Sequence, residues 1–95
     1  MRYTPKKVDA NQHLIVASLR KIGCSVVDTS RIGQGFPDLI VGFRGITILM
    51  EVKNEGGKNR LTRQQEDFIS KWNGSSVHVV RSEEQAVEVV NSYGV

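Results

Sequence analysis

The feature that most restricts the fold is a pair of apolar runs, Asp38-Leu39-Ile40-Val41-Gly42-Phe43 and Ile46-Thr47-Ile48-Leu49-Met50-Glu51-Val52-Lys53, separated only by Arg44-Gly45. A two-residue link with glycine in second place closes a β-hairpin, so strands are predicted over 38–43 and 46–53. Both runs are apolar at nearly every position until their ends. That pattern suits strands covered on both faces by helices, because a sheet open to water on one side would alternate apolar and polar residues.

The rest of the chain supplies those helices. Val8, Ile15, Leu19 and Ile22 share one helical stripe that Gly23 terminates. The helix is predicted to start at Thr4-Pro5, an N-cap with proline in the first turn, in preference to a capping box of Asp9 with Gln12. Cys24–Asp28 reads as a short strand and 29–36, with two glycines, as a loop. After Lys53 comes a polar, glycine-rich stretch, 54–60, read as a basic loop. Thr62 with Gln65 caps a second helix whose apolar stripe is Leu61, Gln65, Phe68 and Trp72, ending at Asn73-Gly74. Val77–Val80 is a further strand, and Ser82 with Gln85 caps a last helix through Ala86, Val89 and Val90. The predicted order is αβββαβα: an α/β fold with a mixed central sheet flanked by helices.

Ninety-five residues suffice for one domain, taken as 1–95. With 39% hydrophobic and 24% charged residues, the composition is globular rather than disordered. No apolar run approaches the roughly 20 residues that span a bilayer, and the first residues lack the apolar stretch of a signal peptide, so no membrane partner and a cytoplasmic location are expected. The lone Cys24, with only His13 and His78 to join it, makes neither an internal disulfide nor a zinc site. These three residues are assigned to packing or surface, and Phe43, Phe68 and Trp72 to the core rather than to platforms for base stacking. The net charge of +3 is unevenly spread: residues 1–24 and 51–63 are rich in Lys and Arg, while 64–95 are acidic. The basic segments are candidate anion-facing surfaces.

Side chains two apart on a strand share a face, so Glu51 and Lys53 point the same way. The tight turn sets Phe43 opposite Ile46 and, by the same register, Asp38 opposite Glu51. Two acids and an amine thus meet at one end of an apolar sheet, a costly placement unless they pair or bind a cation. Carboxylates with a main-chain carbonyl and water form a hard oxygen site suited to Mg²⁺, with Mn²⁺ able to substitute. A cation there would polarise a phosphodiester oxygen and acidify a water, and Lys53 could orient that water or stabilise charge developing at phosphorus. An ordinary strand-end ion pair explains Glu-x-Lys equally well by itself. It does not explain the combination with Gly35-Phe36-Pro37-Asp38 and two full apolar strands.

With Gly35, Pro37, Asp38, Glu51, Val52 and Lys53 in this arrangement, followed by Leu61-Thr62-x-x-Gln65, the chain resembles the PD-(D/E)xK (restriction-endonuclease-like) nucleases. Within them it is most similar to the VRR-NUC branch. The resemblance spans nearly the whole chain and implies an αβββαβ core with a C-terminal helix. It implies that Asp38, Glu51 and the Val52 carbonyl hold the metal, that Lys53 is catalytic and that Gln65 lies beside the site. By this likeness the chain is a free-standing phage or bacterial copy, a homodimeric endonuclease for branched DNA of the Holliday-junction-resolvase kind, acting in repair and recombination. Many relatives carry a glutamate on the first helix as a further acid; here the nearest match is Gln12. Arg31, Gln34, Lys58, Arg60 and Arg63, in loops flanking the site, are the expected DNA-backbone contacts. The competing reading is a non-catalytic nucleic-acid-binding module on the same fold, motivated by the missing glutamate.

Overall fold

The structure is a computed structural model that describes residues 10–54 and 60–93. Its elements are α1 (Gln12–Lys21), β1 (Ser25–Asp28), β2 (Leu39–Phe43), β3 (Ile46–Val52), α2 (Arg63–Lys71), β4 (Val77–Val80) and α3 (Glu83–Tyr93). This is the element order expected from the sequence. The strands form one sheet in the order β1-β2-β3-β4, antiparallel except for the parallel pair β3·β4. The parallel pair requires a crossover, which α2 provides.

Arg44 and Gly45 both take positive φ, 50° and 82°. That is the backbone twist a two-residue hairpin turn needs, and it fixes Phe43 opposite Ile46 and Leu39 opposite Met50. Carried one residue further, the register brings Asp38 beside Glu51. The antiparallel pairs and the parallel one together bring the end of β1, the start of β2 and the ends of β3 and β4 to the same edge of the sheet. The catalytic candidates and most of the flanking loops therefore gather at that edge.

The core lies on one face. Val26, Leu39, Val41, Ile48, Met50, Val52 and Val80 pack there against Ile15 and Leu19 of α1 and Ala86 and Val90 of α3. Helix α1 ends in a two-bond glycine cap, with Gly23 N–H to Arg20 O and Cys24 N–H to Leu19 O, both 3.0 Å. It begins at Gln12, with Asn11 as N-cap. Both starts considered in the sequence, Thr4-Pro5 and the Asp9 capping box, fall on residues outside those described. Ile22, read as part of the buried stripe, is instead the C-cap and 39% exposed.

The opposite face is covered unevenly. Leu49 is buried, whereas Val27 is 57% exposed. Of the residues of α2 only Gln65 is buried. The stripe that suggested a core helix through Phe68 and Trp72 is thus mostly outside the core, and Trp72 is 43% exposed. Helix α2 is seated on the sheet by its first turn, and its aromatic residues lie beyond. Among the described residues no helix is long and apolar enough to cross a membrane.

Candidate active site

Asp38, Glu51 and Lys53 lie at the shared edge of the sheet, 6%, 2% and 8% exposed. The backbone of Asp38 is pinned on two sides: its carbonyl accepts from Thr29 N–H at 2.7 Å, and the Thr29 hydroxyl donates to Pro37 O at 2.7 Å. Its carboxylate Oδ2 accepts from Val52 N–H at 2.9 Å. Proline before Asp38 holds the residues entering β2 extended, and the alternation of β3 does the rest.

Glu51 Oε2 accepts from Gln65 Nε2 at 2.8 Å and lies 3.8 Å from Lys53 Nζ. Gln65 is also the third residue of a complete capping box: Thr62 Oγ1 accepts from Gln65 N–H at 3.2 Å, and Gln65 Oε1 accepts from Thr62 N–H at 2.8 Å. Capping duty and a place beside the cluster, the two roles open for this glutamine in the sequence, coexist in one side chain. A glutamine can do this because its amide offers an acceptor and a donor at one tip.

Gly35 locks the entry loop onto α2. Its φ is +82°, and a Cβ there would lie 2.3 Å from the Gln64 main-chain oxygen. Only glycine allows the loop before Asp38 to press against the first turn of the helix that carries Gln65.

Asn11 and Arg81 belong to this edge and were not singled out in the sequence. Asn11 Nδ2 donates to Lys53 O at 3.2 Å and to Arg81 O at 3.0 Å, tying α1 to the ends of β3 and β4. Arg81 in turn donates from a guanidinium nitrogen to Asn54 O at 3.3 Å. The partners of Asn11 are main-chain carbonyls 42 and 70 residues away, which no local pattern could reveal.

Gln12 is buried, but its Nε2 donates to Asp28 Oδ2 at 3.0 Å. Burial raises the Asp28 carboxyl, but the hydroxyl and N–H of Ser30, the Gln12 amide and the Arg31 charge outweigh it and hold Asp28 below the usual carboxylate range. Of the expected DNA contacts, Arg31, Gln34, Arg60 and Arg63 are exposed, and Lys58 lies outside the described residues. His78 hydrogen-bonds Tyr93 at 2.7 Å, and burial pushes the Cys24 thiol up.

The donors fit a hard divalent cation. Asp38 and Glu51 would supply oxygen ligands, and with Lys53 they carry one net negative charge when ionised. Among the described residues no group of three or more His, Cys, Asp or Glu gathers, so such a site rests on these two carboxylates and main-chain oxygen.

No protein-family profile matches the chain, and no curated protein matches it. Among solved structures, a chain described as a VRR_NUC domain superposes with a TM-score of 0.62 and 26% sequence identity, covering 90% of this chain and 99% of that one. The protein has the VRR-NUC fold, restriction-endonuclease-like in its sheet and helices.

Proposed function

From the VRR-NUC fold of this chain, we propose that it is a metal-dependent DNA endonuclease hydrolysing phosphodiester bonds, with branched DNA, such as a four-way junction, as substrate and a homodimer as the working unit. The observation that supports this most strongly is the buried trio Asp38, Glu51 and Lys53 at the sheet edge where the loops converge. Asp38, Glu51 and the Val52 carbonyl are the residues that would hold Mg²⁺ or Mn²⁺. The ion, when bound, supplies Lewis-acid activation of the scissile phosphate and of the attacking water.

The chain's own residues do the rest. Lys53 places its ammonium where negative charge grows at phosphorus and can orient the attacking water. Gln65 fixes the Glu51 carboxylate, so that its oxygens need no reorganisation as the substrate binds. Asp38 is held by the Val52 amide. Arg31, Arg60, Arg63 and Lys58 contact backbone phosphates, which positions the strand without reading its sequence, and Gln34 meets the same strand.

One observation favours the binding-only alternative: the Gln12 amide is bonded to Asp28. Titration calorimetry with Mg²⁺ separates the two readings. Affinity lowered in both Asp38→Asn and Glu51→Gln supports the enzyme; affinity unchanged in both removes them as ligands.

A further inference from the structure

The aromatic residues of α2 form a surface that the cleavage chemistry does not use. Trp72, the chain's one tryptophan, is 43% exposed at the C-terminal end of the helix. It stacks on Phe68 with ring centroids 5.1 Å apart and planes 18° from parallel, and Phe68 meets Phe36 edge-on at 5.3 Å. The row of rings starts two residues before Asp38 and runs outward along α2. Gly74 leaves room for the indole: a Cβ there would come within 2.7 Å of Nε1, so the ring edge lies close against the backbone.

Beside these rings is a groove of about 340 Å³ lined by Gln34, Gln64, Asp67, Phe68, Lys71 and Trp72. Its size is at the lower end of small-ligand clefts, which run to roughly 300–1,000 Å³. Gln64 lines it while the next residue, Gln65, bonds Glu51, so groove and carboxylate cluster share the first turn of α2. Gln34, on the groove's rim, stands on a left-handed backbone with φ 56° between two glycines, a conformation disfavoured for an L side chain.

The chemistry of the lining selects its occupant. Asp67 and Lys71 offset each other in charge, and the carboxylate would repel a phosphate. Flat π surface flanked by two amides, a carboxylate and an ammonium matches the face and edge of a nucleobase, whose amino, carbonyl and ring-nitrogen groups such side chains pair with. We infer that this groove takes up an unpaired nucleobase of the DNA substrate, stacked against the Trp72–Phe68 pair. A base inside an intact duplex is out of reach of such a groove, so the site would favour DNA with unpaired nucleotides next to the scissile bond. The inference rests on the nucleic-acid reading given above and adds to it a discriminating subsite.

Because the chain has a single tryptophan, its emission reports on this groove alone. With metal chelated to prevent cleavage, the protein is titrated with a single-stranded thymidine oligonucleotide and with a blunt, fully paired duplex, while anisotropy of a labelled strand follows binding. The expected result is a fall in tryptophan emission with the single strand and not with the duplex. Trp72→Ala should weaken single-strand binding on the order of ten-fold with duplex affinity changed less than two-fold, and Trp72→Phe should retain most of it. Unchanged emission at saturation, or wild-type single-strand affinity in Trp72→Ala, overturns the inference. So does an emission change that follows protein concentration without DNA, which would make the groove a self-association surface. DNA that is bound, or cleaved once metal is restored, while the tryptophan stays silent refutes only the subsite; failure to bind either DNA refutes the nucleic-acid reading as well.

Discussion

Gln65 Nε2 donates to Glu51 Oε2 at 2.8 Å while the Oε1 of the same amide accepts from Thr62 N–H at 2.8 Å. One side chain therefore closes the first turn of α2 and fixes a buried carboxylate at the end of β3. The start of the helix and the geometry of the site cannot shift independently.

Replacing Gln65 by glutamate keeps the acceptor for Thr62 and sets a second carboxylate against Glu51. Gln65→Glu should destabilise the fold by about 1–3 kcal/mol at neutral pH. Part of that loss should return as the pH is lowered and the pair takes up a proton. Urea unfolding of both proteins between pH 4 and 8 checks this, in steps of roughly one unit.

Gly35→Ala puts a methyl group into the space of the Gln64 carbonyl on a left-handed backbone. The expected cost is about 1–3 kcal/mol, read as a lowered Tm. Activity should fall further than stability explains, because the loop and α2 must part to admit the methyl group. Gly33→Ala has no such neighbour within 4 Å and should show only the milder backbone penalty.

Asp28 has a folded-state pKa below its unfolded value, so its contribution to stability is present above the unfolded pKa of about 3.9 and is lost as pH falls through the depressed folded value. Asp28→Asn should therefore unfold more easily than the parent near pH 6 and no more easily at the acid extreme. Denaturant midpoints across this range decide it.

Asn11→Ala removes two donors from the carbonyls of Lys53 and Arg81. The ends of β3 and β4 loosen, at a cost of about 1–2 kcal/mol. With Lys53 less firmly placed, kcat should drop while KM for DNA changes little. A raised KM with kcat unchanged would assign Asn11 to substrate binding instead.

The hairpin and its trio were legible in the sequence because strand alternation and a two-residue turn leave a single register, which the structure reproduces at Phe43 and Ile46. The Thr62–Gln65 cap was legible for a similar reason: its partners are three residues apart. What escaped was long-range. Helical periodicity put Phe68 and Trp72 on a stripe, but cannot say that only the first turn of α2 is seated on the sheet. Gln12 likewise showed its burial in the stripe and not its partner, Asp28, which depends on how α1 crosses the end of β1.

The most direct test incubates the protein with an end-labelled four-way junction, with and without Mg²⁺ or Mn²⁺ and with chelator, beside Lys53→Ala shown to be folded by circular dichroism. The account predicts metal-dependent cuts in the junction, abolished by chelation and by Lys53→Ala, with the variant's junction affinity largely intact because Lys53 acts on the transition state. Cleavage that survives in Lys53→Ala, or no cleavage of any DNA by the parent protein, would contradict it.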